Sequence, residues 1–205
     1  MSEPGAGMNI SHPGYTEAHT LYRDTLRRWV TDEISPFVDD WDEAGTFPRE
    51  LYSRAAEIGL LGLGFPTEYG GIEADRFFII IGAQELARAG AGGLSASLLS
   101  HTIGAPPILK GGSDAIKRAV LPDILMGRKI SALAITEPGG GSDVANLRTT
   151  AVRDGDDYVL NGSKTFITSG MRADYVTVAV RTGGPGRAGV SLILVPTDAP
   201  ASRAH

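Results

Sequence analysis

Residues 132–170 read ALAITEPGGGSDVANLRTTAVRDGDDYVLNGSKTFITSG, and how this stretch is read decides the fold. Ile130–Ile135 is a short apolar run with β-branched residues, bounded by Pro138 and three consecutive glycines, so it reads as a strand entering a loop. Leu147–Arg153 alternates as a second strand, and a further apolar run closes on Phe166-Ile167-Thr168. Gly139, Gly140 and Gly141 carry no Cβ, which frees the backbone for φ > 0 and lets a bulky partner lie against it. Ser142 and Asp143 add a hydroxyl and a carboxylate where successive backbone N–H groups can form an anion-holding nest. A dinucleotide fingerprint or a P-loop needs its glycines to open a helix, and a P-loop also needs a Lys after the last Gly. A strand follows here instead, which excludes both. Taken alone, the triplet fits a flexible β-turn as well as a ligand loop. Together with the second run, it places two strand ends where they converge on one ligand.

Ala134-Ile135-Thr136-Glu137-Pro138-Gly139-Gly140-Gly141-Ser142-Asp143, followed by Asn161-Gly162-Ser163-Lys164-Thr165-Phe166-Ile167-Thr168, resembles the two flavin-facing motifs of the acyl-CoA dehydrogenase family. The motifs stand in the family's order, separated by a hairpin, and a helical stretch precedes them, so the resemblance runs from about Thr16 to Pro196. Asn146 stands where the family usually has a smaller residue, and the sequence reaches His205 where family members continue with a helical C-terminal domain.

The resemblance implies an FAD site. Leu133, Ala134, Ile135, Thr136, Gly141 and Ser142 would contact the cofactor mainly through backbone. Thr136 would hydrogen-bond the pyrimidine edge of the isoalloxazine, and Thr168 would reach its N5 side. Phe166, flanked by Ile167, would pack on the ring where many relatives have Trp. Such donors let a flavin accept hydride by stabilising negative charge on the reduced ring. Ser142 would also lie beside the substrate's pantetheine or the pyrophosphate. Ser95, Ala96 and Leu99 would line an acyl-chain cavity, although their small size fits close helix packing equally well.

The implied reaction is α,β-dehydrogenation of an acyl-CoA thioester in fatty-acid metabolism, as in β-oxidation: a carboxylate removes the α proton, the β hydrogen leaves as hydride to flavin N5, and electrons pass to an electron-transferring flavoprotein. The family's base is a Glu of the C-terminal helical domain, so no catalytic residue is assigned within 1–205. Glu137 and Asp143 are expected to cap turn N–H groups. A homo- or hetero-oligomer would bring in a chain or segment supplying the C-terminal helical domain. Two alternatives share the motifs: a non-catalytic FAD- or acyl-CoA-binding partner subunit, and a flavin oxidase or monooxygenase.

Composition narrows the classes further. Residues 1–129 hold 12 Lys+Arg against 17 Asp+Glu, and residues 130–205 hold 7 against 7. A mildly acidic chain without a basic cluster is a poor nucleic-acid or anionic-membrane binder, so neither is expected as a partner. The absence of cysteine excludes disulfides and thiolate chemistry and agrees with a cytoplasmic protein. His12, His19, His101 and His205 lack ligand spacing, so no metal site is expected. No apolar run approaches the roughly 20 residues that span a bilayer.

The expected fold class is α+β. Residues 1–15, rich in Gly, Pro and Ser, read as a disordered lead-in that is neither signal nor transit peptide. An all-α region over 16–129 follows. Tyr22, Leu26, Trp29, Val30, Ile34, Phe37, Val38 and Trp41 recur at helical spacing, broken at Pro36, and pack as core. Helices are predicted over Arg49–Ile58, Ile72–Arg88, Leu94–Ile103, and from the Ser113 cap to about Met126. Residues 130–205 then form a small antiparallel β-barrel or sandwich of six strands, Lys164–Thr168 among them, with hairpin turns at Asp154-Gly155-Asp156 and Asn161-Gly162.

Overall fold

The structure, a computed structural model, describes residues 12–199, so most of the expected lead-in lies outside the described residues. Helices α1 (Glu17–Trp29), α2 (Val38–Ala44), α3 (Glu50–Glu57), α4 (Arg76–Ala87), α5 (Gly92–Leu98), α6 (His101–Gly111) and α7 (Asp114–Leu125) precede five strands. These are β1 (Ser131–Ala134), β2 (Thr150–Asp154), β3 (Asp157–Asn161), β4 (Tyr175–Arg181) and β5 (Val190–Pro196). The α+β class holds.

The break at Pro36 is prepared one turn earlier. Val30–Ile34 widens into a π-helical turn, with the Ser35 N–H donating to Val30 O at 2.8 Å, so the helix loosens before the proline that cannot continue it. α1 and α4 share a polar hinge. The Thr16 N–H donates to His19 Nδ1 at 2.9 Å, which places the ring proton on Nε2, 3.0 Å from Asp75 Oδ1. Asp75 in turn accepts from the Phe77 and Phe78 N–H groups, so it is the true N-cap. The helix predicted from Ile72 therefore starts at Arg76.

The predicted Leu94–Ile103 helix divides at Leu99–Ser100, and α6 runs on through Pro106 and Pro107. Two lost helical bonds are tolerated because α6 is pressed onto the sheet. A Cβ on Gly104 would sit 2.5 Å from Ser131 Oγ, Thr177 Oγ1 donates to Gly104 O at 3.0 Å, and Ser100 Oγ donates to Ser131 O at 2.9 Å. As predicted, Ser113 Oγ caps α7 by accepting from the Ile116 N–H.

The sheet is mixed rather than antiparallel. β4 pairs along its whole length with antiparallel β5 on one edge. On its other edge it carries β1, parallel, over Tyr175–Val178, and touches β2, also parallel, at Arg181. β2 and β3 form the expected hairpin, closed by Gly155-Asp156 with Gly155 at φ 62°.

Two predicted strand segments are absent, each for a local reason. At Leu147–Thr149, the N–H groups of Arg148 and Thr149 are taken by the Glu137 carboxylate, so pairing starts only at Thr150. Lys164–Thr168 is not a strand, and Asn161-Gly162 is therefore not a hairpin turn, because the chain swings through left-handed backbone at Phe166 (φ 56°) and Ser169 (φ 62°).

One apolar cluster joins both regions. Leu26, Ile34, Leu61, Ile81, Leu86 and Leu98 are fully or almost fully buried, and Ile130 and Ala132 at the start of the sheet pack into the same cluster. Each such Leu or Ile contributes about 1.5–3 kcal/mol. A polar strut reinforces the junction: Asp174 accepts from the Ile130 N–H at 2.7 Å and pairs with Arg49 and Lys129.

Candidate cofactor-facing site

The two glycine- and threonine-bearing segments meet at their backbones. The Thr165 N–H donates to Thr136 O at 2.9 Å, extending the line of β1 by one bond after its last ladder residue. Lys164 Nζ donates to Ile135 O at 2.9 Å and lies 3.0 Å from Glu137 Oε1. Glu137 also accepts from the Arg148 and Thr149 N–H groups at 2.7 and 2.8 Å. Burial alone would raise its pKa. The adjacent Thr149 side chain, the Arg148 and Thr149 N–H groups and Lys164 outweigh burial and bring it down to about 2. Glu137 is therefore ionised at neutral pH and pins both ends of the intervening loop, the capping role expected of it. Asp143, expected to do the same, instead accepts from the Asn146 side-chain amide.

The loop itself is tight. Glu137 and Gly140 exchange both backbone hydrogen bonds, at 2.9 and 3.0 Å, across Pro138-Gly139. Around Gly139 and Gly140 nothing lies within 4 Å of where a Cβ would project, so the backbone is open to approach. Gly141 differs, since a Cβ there would sit 3.2 Å from Thr136 Cγ2. Ser142 is exposed.

Leu133 and Ala134 point to opposite faces of the sheet. Leu133 lines a groove of 880 Å³ with Ile103, Pro106 and Leu192, and Ala134 lines one of 810 Å³ with Phe166, Val176 and Val178. Side chains on both faces cannot serve one ligand together. Ile135 faces a third cleft, shared with Glu137 and the glycines.

Phe166 is 91% exposed and is one of two non-glycine residues with positive φ among those described; Ser169 is the other. Left-handed backbone costs such residues about 1–2 kcal/mol each. The two strained positions bracket Ile167, which packs on the main core, and Thr168, which is exposed beside a 380 Å³ cavity. An aromatic face held out into solvent at that cost suits a flat ring of matching polarity.

Of the three α5-region residues expected at an acyl cavity, Ala96 is exposed and Leu99 is half-buried against the helical core. Ser95 spends its hydroxyl on Ala91 O at 3.2 Å. The hydroxyl that leaves the helix is that of Ser97, missed in the sequence: its Oγ lies 2.7 Å from Ser169 Oγ. Lys164 was also missed as an anchor, although a lone charge inside an otherwise uncharged motif was a signal for it.

The residues fit an isoalloxazine ring on three observations: the outward Phe166 ring, the uncovered backbone at Gly139 and Gly140, and threonines at the two joined segments. Among the described residues no helix is long and apolar enough to cross a membrane.

Comparison with known proteins gives the chain's family. Residues 16–128 match the acyl-CoA dehydrogenase N-terminal domain, and residues 132–205 match the acyl-CoA dehydrogenase middle domain. The chain is 36% identical to acyl-CoA dehydrogenase apdG of Emericella nidulans over 95% of its own length and 49% of that protein's. A Mycobacterium smegmatis crystal structure described as an acyl-CoA dehydrogenase superposes with TM-score 0.88 at 48% identity, covering 91% of this chain and 49% of that one. A glutaryl-CoA dehydrogenase from Mycobacterium smegmatis in complex with FADH2 superposes with TM-score 0.83 at 31% identity, covering 91% and 47%. The chain thus spans about half the length of these relatives.

Proposed function

We propose, for a chain that belongs to the acyl-CoA dehydrogenase family through its N-terminal and middle domains, that it supplies the ring-binding half of an FAD site used to dehydrogenate an acyl-CoA thioester. The observation that carries this reading is the joining of the Thr136 and Thr168 segments by the Thr165-to-Thr136 backbone bond, with the Phe166 ring turned outward beside it. When bound, FAD would supply a hydride acceptor for the β hydrogen of the thioester.

The chain's own residues hold and orient. Thr136 and Thr168 present hydroxyl donors to the polar edge of a ring, and Phe166 offers a face for packing. The open backbone at Gly139 and Gly140, with the exposed Ser142, accommodates a phosphate-bearing portion of a ligand. The base that removes the α proton is assigned to the part of the relatives that this chain does not span. Electron transfer to an electron-transferring flavoprotein and pairing with a C-terminal helical domain belong to the same proposal.

A titration of the purified chain with FAD tests the reading. Saturable quenching of flavin fluorescence at one flavin per chain supports it. A folded chain that leaves flavin fluorescence unchanged overturns it.

A further inference from the structure

Tyr52, Ser97 and Ser169 form a hydroxyl cluster that ties α3 and α5 to the loop carrying Phe166 and Thr168. Ser169 Oγ lies 2.7 Å from Ser97 Oγ and donates to Ser97 O at 3.1 Å, and Tyr52 OH donates to the same carbonyl at 2.9 Å. Tyr52 OH also stands 3.4 Å from both serine hydroxyls. Every member is therefore within hydrogen-bonding distance of the other two. The cluster holds Ser169 at φ 62°, a conformation that Ser does not favour by itself. Behind the loop lies the 380 Å³ cavity, into which the segment has room to relax if released.

Strained residues persist only where their surroundings over-determine them, and here the over-determining contacts come from α5, the helix that bears Ser95 and Ala96 on another face. We infer that Ser97 and Ser169, with Tyr52, are positioning residues: they latch Ile167–Thr168 in the orientation in which the Thr168 hydroxyl and Phe166 ring face the cofactor, and so couple α5 to the ring edge. This rests on the FAD reading above for its second half, the cofactor-facing role. The latch itself is a property of the chain without ligand.

Hydrogen exchange on the flavin-free chain, followed by FAD titration, separates the two. In Ser97→Ala, exchange at the Gly170 and Arg172 N–H groups, which close turns onto Ile167 O and Ser169 O, rises about tenfold, the worth of one hydrogen bond of about 1.4 kcal/mol. Amides of the β4–β5 pair stay unchanged. FAD affinity falls by a similar factor and the bound flavin's visible bands shift, which a general loss of stability would not produce. Ser97→Thr, which keeps the hydroxyl, retains wild-type exchange and bands. Combining Ser97→Ala with Ser169→Ala adds little to Ser169→Ala alone, because that change already removes the hydroxyl pair along with the Ser169 bond to Ser97 O. Unchanged exchange in Ser97→Ala overturns the latch. Faster exchange with unchanged affinity and bands overturns its link to the cofactor. If the wild-type chain binds no FAD, the functional reading fails instead, and exchange still decides the latch.

Discussion

Lys164 Nζ lies 3.0 Å from Glu137 Oε1, with both side chains only 10% exposed, so one ion pair spans the two segments that build the site. Removing one partner leaves the other charge uncompensated in a poorly solvated place. Lys164→Met is expected to cost about 3 kcal/mol, measured by urea unfolding. Glu137→Gln should cost a similar amount, and Glu137→Ala more, because it also abandons the Arg148 and Thr149 N–H groups. Changes below about 0.5 kcal/mol in all three would remove the pair from the account.

Acid should weaken the fold in two steps. Burial, opposed only by the Nε2 bond to Leu61 O and the nearby Leu98 backbone, lowers the His101 pKa from 6.5 to about 4. The unfolded chain therefore binds the extra proton first. The stability linked to neutral His101 is complete above pH 6.5 and drains as the pH falls toward 4, by roughly 3 kcal/mol in all. Glu137, lowered from 4.5 to about 2, contributes above pH 4.5 and is lost as the pH falls through 2. Urea midpoints from pH 7.5 down to 4.5 should decline in the wild type and stay flatter in a folded His101→Gln variant. Parallel slopes would contradict the first step.

Two glycines of the same site should behave in opposite ways. Gly162 stands at φ 150°, and a Cβ there would meet Thr149 Oγ1 at 2.6 Å, so Gly162→Ala is expected to destabilise by roughly 2–4 kcal/mol. Gly139 has open space around it, so Gly139→Ala should leave the unfolding midpoint unchanged while lowering flavin affinity where backbone must approach the ligand. Thermal unfolding and an FAD titration on the same two variants check both.

Phe166 is exposed enough that its ring contributes little to folding. Phe166→Ala should keep stability within about 0.5 kcal/mol and reduce flavin affinity about threefold to tenfold, the range of one lost ring-on-ring contact. A large loss of stability with unchanged affinity would assign the ring to the core instead.

Much of the helical region was legible because its signals are local: the recurrence of Tyr22, Leu26, Trp29 and Val30 at helical spacing, and the Ser113 cap. The two motifs pointed to the site because their residue types and order are distinctive. What stayed hidden depends on distant partners. Nothing near Leu147 shows that Glu137 takes the next two N–H groups, and nothing near Lys164 shows that Phe166 and Ser169 will be held left-handed. The parallel pairing of β1 with β4 joins residues more than forty apart, and turn chemistry is silent about that. Asp75 carried its cap signal plainly. The apolar Ile72 ahead of it obscured the true start of α4.

The most direct measurement is the visible difference spectrum of FAD with the wild-type chain and with the Thr136→Val/Thr168→Val double variant, compared with free FAD. The account predicts shifted, better-resolved flavin bands with the wild type, and bands close to those of free FAD with the variant, which should still fold. Identical spectra for the two folded proteins would contradict the assignment of these threonines to the cofactor.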